Sequence, residues 1–231
     1  MENKRRKIHE ELEVVKTGYA NGVAEGFPLN LDEKQEMIDN ATKAYGEFLT
    51  ALKCDWQNDP NSMETPKRVA KAYVNDLWSG RYTAMSPITS FPSDGYDGII
   101  IERNIPLTSM CSHHHQTISG VVHIGYIAGI DGQVIGLSKL NRIVELFGRR
   151  GAIQEQLTSA IHGAVDKITE GNLGVAVTIV AGHNCVSCRG VKHQGASMIT
   201  TKASGAFRDD TNNARKEFFD SLKINNGGHQ I

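Results

Sequence analysis

The sequence predicts an α+β fold in which an antiparallel sheet of four strands packs against a pair of helices. Segments rich in β-branched residues occur in two pairs along the chain, and two segments of helical periodicity separate the pairs. Strands grouped around helices in this way are typical of α+β proteins. We expect an N-terminal arm at residues 1–30, a helical region at 31–95 and a core at 96–231, which together form one functional domain.

The first part of the chain predicts an arm and two helices. Residues 1–30 are charged and then Gly-rich, which indicates a frayed arm rather than core. Residues 31–53 repeat apolar side chains at helical spacing and predict a helix with one buried face. A second helix is expected to begin with Thr65 as N-cap and Pro66 in the first helical position, and to end at Gly80.

The rest of the chain predicts the sheet and the helix pair. The β-branched runs indicate strands at 99–102, 117–128, 173–182 and 193–201. Between the second and third strands, Ser138 can cap a helix that runs to about Arg150, and residues 153–168 predict another helix. A final helix is expected near residues 212–222.

The composition excludes several classes of function. The 25 Lys and Arg residues balance 26 Asp and Glu residues, so a net charge of -1 gives no basic field for nucleic acid or an anionic membrane. Four cysteines are too few for a disulfide framework and favour metal binding in a reducing compartment. The sequence shows no signal peptide and no run of about 20 apolar residues. We therefore expect a cytoplasmic protein that binds neither membranes nor nucleic acid.

Two short motifs carry the residue types that bind zinc. Cys111 and His114 lie three positions apart in a turn or strand end, and His183 and Cys185 are expected to share one face of a strand. Zinc prefers this mixture of thiolate and imidazole ligands. The sequence therefore predicts a zinc site that draws on both motifs.

Two kinds of zinc site fit these motifs. A structural site would close all four ligand positions with Cys111, His114, Cys185 and Cys188. A catalytic site keeps three protein ligands and one water. About 70 residues separate the two motifs, which is far beyond the spacing of a zinc ribbon. His113 and His183 also favour the catalytic site, because histidines beside an open metal position can carry protons.

Basic clusters and a carboxylate suit a nucleotide substrate. A glycine leads into the expected cap at Ser138, so free amides at a helix N-terminus would meet nearby basic side chains. The clustered basic residues are Arg68, Lys71, Lys139, Arg142 and Arg189. Each alone is best explained as a solvated charge, but three clusters beside one metal site favour a polyphosphate. Glu155 is either a plain helix-start carboxylate or the acceptor for the N1 and N2 hydrogens of guanine.

Together the motifs resemble the GTP cyclohydrolase I family over roughly residues 55–223. The matching segments are DPNSMETPKRVAKAYV, LTSMCSHHH, VIGLSKLNRIVELF, IQEQLTSAI, the HNC..RGV stretch and TTKASGAF. The resemblance implies a tunnelling fold, in which small antiparallel sheets from several subunits close into a barrel with the helices outside. It also implies a toroidal homodecamer with active sites between subunits and one Zn²⁺ per subunit.

The resemblance further implies a role for each motif residue. Zinc would be bound by Cys111, His114 and Cys185. Protons would be handled by His113 and His183, and opening of the ribose would be assisted by Ser138. The triphosphate and ribose would be surrounded by Arg68, Lys71, Ser138, Lys139, Arg142 and Arg189. Guanine would be held by Gln154 and Glu155, with backbone near Ile135 and Leu137.

The implied reaction is hydrolytic opening of the guanine imidazole ring of GTP. A water activated by zinc would attack C8, His113 would protonate N7, formate would leave, and the product would be 7,8-dihydroneopterin 3′-triphosphate. This step begins the synthesis of tetrahydrofolate, pterins or deazaguanines. Two alternatives remain, another tunnelling-fold enzyme such as a pterin synthase or a deazaguanine nitrile reductase, and a zinc-stabilised oligomer without catalytic activity.

The chain departs from the family pattern at three places. Ser112 stands where the family usually has Glu, and Cys188 stands where the family usually lacks a cysteine. Gly151 and Ala152 replace a polar or Pro-containing lead-in to the Gln-Glu pair. None of these changes removes an implied ligand or proton carrier.

Overall fold

The computed structural model describes residues 17–209 and 211–223 of the chain. The α-helices in these ranges are α1 (Leu31–Ala51), α2 (Thr65–Ala72), α3 (Leu137–Gly148), α4 (Gln154–Ile168), the one-turn α5 (Asn184–Ser187) and α6 (Ala214–Leu222). The strands are β1 (Ser90–Pro92), β2 (Ile99–Met110), β3 (Thr117–Ile127), β4 (Gln133–Ile135), β5 (Gly174–His183) and β6 (Ser197–Ala203). A π-helical turn covers Tyr73–Leu77, and 3₁₀ turns cover Ser79–Arg81 and Gly205–Phe207.

The main sheet is antiparallel and has the strand order β2-β3-β5-β6, with α3 and α4 between β3 and β5 in the chain. The expected mixture of helices and antiparallel sheet is therefore confirmed. Met110 pairs with Thr117, and Ile118 pairs with His183. The end of β2, the start of β3 and the end of β5 thus meet at one end of the sheet. The short strands β1 and β4 form a separate pair, which the sequence pattern did not indicate.

Strand β2 is much longer than the expected strand at residues 99–102. It continues to Met110 through an irregularity in the pairing between Glu102 and Ile105, where Asn104 has a φ of 60°. Such a bulge inserts one extra residue into a strand without ending it. The polar residues at the bulge interrupt the apolar run, so the sequence pattern predicted a strand that ends too early.

The sheet is covered by helices on one face and by a smaller cluster on the other. Helices α3 and α4 bury Leu140, Phe147 and their neighbours against sheet residues such as Val122. On the second face, Phe218 of α6 packs against Phe207. Burying each such side chain contributes roughly 1.5–3 kcal/mol, so these two clusters hold the sheet in place.

The helical region differs from expectation at its helix ends. The N-cap of α2 is Glu64 and Thr65 is its first residue, so the predicted cap is wrong by one position. The helix also does not continue to Gly80, because a π-helical turn replaces it from Tyr73. Turns of this kind often occur at functional sites. Although α1 is 21 residues long, none of the described helices is both long and apolar enough to cross a membrane.

Part of the expected arm packs against the body of the protein. Residues 1–16 lie outside the described ranges, but Asn21 is buried and its backbone N–H donates to the Gly151 carbonyl at 3.0 Å. The Arg81 guanidinium donates to the Tyr19 carbonyl at 2.9 Å. The expectation of a frayed segment is therefore wrong for the described part of the arm, because its backbone is hydrogen-bonded to the body.

Candidate active site

Three side chains of types that can bind a metal meet at the end of the sheet where β2 and β5 finish. One ligand atom each from Cys111, His183 and Cys185 lie within 4.8 Å of one another, and we call these residues the donor group. Cys111 follows β2, His183 ends β5, and Cys185 lies in α5. Cys111 is buried and the other two are half-buried, so a ligand can approach the group from outside.

Helix α5 determines where the Cys185 side chain lies relative to His183. The expectation that His183 and Cys185 share a strand face is wrong, because β5 ends at His183 and the chain turns into α5. This turn brings the Cys185 sulfur to within 4.8 Å of the Cys111 sulfur. Cys188 is exposed and is not part of the donor group that the described residues form. The arrangement favours an open site over one closed by four ligands.

The donor group suits zinc. Burial and the neighbouring Cys111 thiol raise the pKa of the Cys185 thiol, while the nearby charge of Arg189 partly opposes this shift. A metal ion would displace the thiol protons, because metals bind the thiolate form. Two thiolates and an imidazole are ligands that zinc prefers. The residues present therefore fit the ion that the motifs predicted.

The turn that carries the histidine run is anchored by aromatic side chains. Backbone hydrogen bonds close it, from Cys111 N to Gln116 O at 2.8 Å and from His115 N to Cys111 O at 2.9 Å. The His115 ring packs edge-on against Trp78 at 5.1 Å, and its Nδ1 lies 3.4 Å from the Tyr73 hydroxyl. Sequence reasoning missed Tyr73 and Trp78, since only their aromatic character at the end of a helix could have indicated them.

His113 and His114 lie exposed in this turn, with their ring centroids 6.4 Å apart. His114, the expected third zinc ligand, is not in the donor group formed within the described residues, and His183 takes that place. Exposed side chains change rotamer rapidly, so His114 stays a candidate ligand. The structure thus brings together two expected thiol ligands and one expected proton carrier.

The first two residues of α4 face the site in different ways. Gln154 is fully buried, with its Oε1 2.7 Å from His183 Nε2 and its Nε2 3.1 Å from Thr200 Oγ1. This differs from the expected contact with guanine, because the amide bonds to the protein. Glu155 is exposed. Burial lowers the pKa of His183, and the nearby charge of Glu155 partly opposes this shift. Glu155 therefore acts on the same site.

The N-terminus of α3 lies next to β4. Its N-cap is Gly136, and Ser138 is the second residue of the helix without a capping hydrogen bond, so the predicted cap is wrong. The exposed Ser138 hydroxyl is thereby left for a ligand. The backbone N–H of Ile135 donates to the Tyr126 hydroxyl at 3.1 Å, whereas Leu137 is exposed at the start of the helix. Of the two backbone positions expected near guanine, Leu137 is therefore accessible, whereas the Ile135 N–H already has a partner.

The clustered basic residues, here called the basic set, make few hydrogen bonds to the rest of the described chain. The Lys139 ammonium donates to the Pro87 carbonyl at 3.4 Å, and the charge of Arg189 acts on Cys185. No hydrogen bond or ion pair to another described residue is made by the side chains of Arg68, Lys71 and Arg142. Hydrogen bonds within the described chain therefore do not fix these three basic side chains in place.

The fold and the site define an α+β protein with a candidate metal site at the end of an antiparallel sheet. The sequence profile of the family described as GTP cyclohydrolase I matches residues 41–223. The chain belongs to the GTP cyclohydrolase I family, which is a family of enzymes.

Individual relatives cover most of the chain. GTP cyclohydrolase 1 from Aeromonas salmonicida (strain A449) is 40% identical over 197 residues, which are 84% of this chain and 87% of that protein. GTP cyclohydrolase 1 from Enterobacter sp. (strain 638) is 37% identical over 212 residues, 88% of this chain and 93% of that protein. The corresponding protein of Mycobacterium ulcerans (strain Agy99) is 42% identical over 149 residues, 64% of this chain and 72% of that protein.

Proposed function

We propose that this enzyme opens the guanine imidazole ring of GTP by hydrolysis, releases C8 as formate and forms 7,8-dihydroneopterin 3′-triphosphate. The observation that supports this most is the donor group of Cys111, His183 and Cys185 within 4.8 Å. Glu155 lies close enough to act on the pKa of His183. A guanine base held by that carboxylate would therefore lie beside the metal-binding side chains.

The proposed cofactor is one Zn²⁺ per subunit, bound by Cys111, His114 and Cys185. The donor group supplies both thiolates, and the CxxHH motif supports His114 as the imidazole ligand. When bound, zinc supplies a water that is activated near neutral pH. His183 is the competing third ligand, because it already lies in the donor group.

The remaining chemistry is assigned to side chains around the donor group. His113 is proposed to donate a proton at N7 of guanine. His183 is suited to accept one, because burial lowers its pKa and leaves the ring neutral near pH 7. The Ser138 hydroxyl, which makes no capping bond, is proposed to assist opening of the ribose. Positioned acid and base groups of this kind typically contribute about 10²- to 10⁴-fold in rate.

Substrate binding is proposed to divide between a carboxylate and the basic set. Glu155 would accept hydrogen bonds from N1 and N2 of guanine. The triphosphate and ribose would be held by Arg68, Lys71, Lys139, Arg142 and Arg189. The N-terminus of α3 supports this assignment, because free helix amides favour anions.

The proposed assembly is a tunnelling-fold barrel within a toroidal homodecamer, with active sites between subunits. Among the described strands, β2 and β6 each pair on one side only. Unpaired strand edges are where another chain can pair. Ile199 on β6 is 65% exposed, which leaves an apolar side chain for a neighbour to cover. Light scattering combined with activity assays checks this, and a fully active monomer would contradict shared sites.

The proposed organisation is one functional domain, with residues 31–95 and 96–231 working together and residues 1–30 as an extension. The contact of Trp78 with His115 supports this, because it joins the helical region to the histidine turn of the core.

Incubation of zinc-loaded protein with GTP tests the proposed reaction. We expect stoichiometric formate and, after oxidation, a fluorescent neopterin. The matched control is the Cys111→Ser variant, which lacks a ligand. A pterin synthase or a nitrile reductase would release no formate from GTP, and a purely structural zinc protein would leave GTP intact.

A further inference from the structure

We propose that Gln154 is a positioning residue that fixes the orientation of the His183 imidazole by accepting a hydrogen bond from its Nε2. The inference rests on the proposed function, in which His183 carries a proton. It departs from the assignment of Gln154 to guanine binding.

The hydrogen-bond network fixes which way the Gln154 amide points. Its Nε2 lies 3.2 Å from the Ile179 carbonyl and 3.1 Å from the Met198 carbonyl. Carbonyl oxygens only accept hydrogen bonds, so the group facing them must be the amide NH₂. The opposite end, which faces His183 at 2.7 Å, is therefore the oxygen Oε1.

Two threonines complete this network without ambiguity. The Thr158 hydroxyl donates to the Gln154 backbone carbonyl at 2.8 Å, so the bond of 2.6 Å between Thr158 and Thr200 must use the Thr200 hydrogen. The Thr200 oxygen is then left to accept from Gln154 Nε2 at 3.1 Å. Every donor in this network has an acceptor, and a flipped amide would place its oxygen against the carbonyl oxygens of Ile179 and Met198.

The orientation of the amide determines the tautomer of His183. Because Gln154 Oε1 can only accept, His183 Nε2 must carry a hydrogen. In a neutral imidazole the other nitrogen, Nδ1, then holds the free lone pair. The buried amide thus holds the His183 ring in one orientation.

The burial of Gln154 favours a positioning role over direct contact with the substrate. Gln154 is fully buried, and both ends of its amide bond to described residues of its own chain. A side chain that bound guanine directly would need an accessible donor or acceptor. Glu155, the next residue, is exposed and is the residue proposed to bind guanine.

The test compares Gln154→Met, His183→Ala and the double variant. Methionine fills the volume without an acceptor, so we expect kcat to fall on the order of 10-fold to 100-fold, as when the partner that orients a histidine is removed. KM for GTP, zinc content and GTP binding to the zinc-free protein should stay unchanged. In the His183→Ala background the same substitution should cost almost nothing further, because its effect acts through the ring.

Two further variants guard against a loss of folding. Thr200→Val disturbs the same buried network but keeps Oε1 beside His183, so it should retain most of kcat. Gln154→Glu keeps an acceptor and should recover part of the kcat lost in Gln154→Met. Weakened GTP binding in Gln154→Met, or full additivity with His183→Ala, would overturn the inference. If His183→Ala itself kept full turnover, the proton role in the proposed function would fail instead.

Discussion

The donor group and the basic set differ in how the chain holds them. Cys111, His183 and Cys185 are held by strand ends, a one-turn helix and a bond to buried Gln154. In the basic set, the Arg142 side chain is exposed and makes no hydrogen bond to the rest of the described chain. Hydrogen bonds within the described chain therefore fix the chemical end of the proposed site, whereas they do not fix Arg142 of the anion-binding end.

This difference matters because zinc binding and phosphate binding require different degrees of rigidity. Zinc binding needs ligand atoms within a few tenths of an ångström of their ideal places, which requires a rigid support. Phosphate binding by long basic side chains tolerates movement, because charges act over several ångströms. We expect substitutions in the donor group to act sharply and substitutions in the basic set to act gradually.

The largest effect is expected from loss of a thiol ligand. Cys111→Ser and Cys185→Ser should strip zinc and abolish formate release, because each removes one of three protein ligands. Elemental analysis and a formate assay measure both results. Cys188→Ser is the matched control and should keep most of its zinc, since Cys188 lies outside the donor group. If it lost zinc as completely, the site would be closed and the catalytic assignment would fail.

The histidines should divide into one ligand and two proton carriers. His114→Ala should lose zinc. His113→Ala and His183→Ala should keep zinc but lose about 10²-fold or more in turnover, the scale of a positioned acid or base. Zinc content and kcat are measured on the same samples. The reverse pattern, in which His183→Ala loses zinc and His114→Ala keeps it, would make His183 the third ligand.

Glu155→Gln should change the choice of base without changing zinc content. A carboxylate that faces a base without matching donors is an underpaired charge, and sites of this kind can reject such analogues by about 10⁴-fold or more. Wild-type enzyme should therefore use ITP much less well than GTP. The variant should have a lower kcat/KM for GTP and a narrower GTP to ITP ratio. An unchanged ratio would show that guanine is recognised elsewhere.

Arg142→Ala should act on the anion-binding end alone. We expect KM for GTP to rise by roughly 10-fold, since a hydrogen bond to a charged group contributes about 1.5–3 kcal/mol, with zinc content unchanged. The rise should shrink at high salt, because salt screens exposed charges. Arg208→Ala, which removes another exposed arginine, serves as the control and should leave KM unchanged. Loss of zinc in Arg142→Ala would contradict the separation of the two ends.

The smallest expected effect is a displaced acid limb in the pH profile. His183 must be neutral to accept a proton, and burial lowers its pKa below the usual value of 6.5. Activity should therefore be retained as pH falls to 6.5 and should decline only below it, toward the level of the His183→Ala variant. The residual activity of His183→Ala should lack this limb. A wild-type limb centred above pH 6.5 would argue against His183 as the base.

Helices with clear periodicity were predictable from the sequence. The pattern over residues 153–168 agrees with α4 to within one residue, because its buried face repeats without interruption. Strand β2 was cut short because the bulge after Glu102 breaks its apolar run. Strands β1 and β4 were missed because three residues are too few to show alternation.

The candidate site was predictable in residue type but not in geometry. Cys111 and Cys185 could be chosen from their motifs because few residue types bind zinc. The position of His183 within the donor group depends on where β5 ends and α5 begins, which spacing alone does not show. The role of Gln154 depends on contacts with β6, more than 40 positions away along the chain.

Gly151 links the lead-in of α4 to the aromatic anchor of the histidine turn. It has a φ of 73°, and a Cβ placed there would lie 2.6 Å from the indole nitrogen of Trp78. Such a contact is too close for any other side chain unless Trp78 moves, and proline cannot adopt this φ. Positions 78 and 151 should consequently change together during evolution, so a homologue with a bulkier residue at 151 should carry a smaller one at 78.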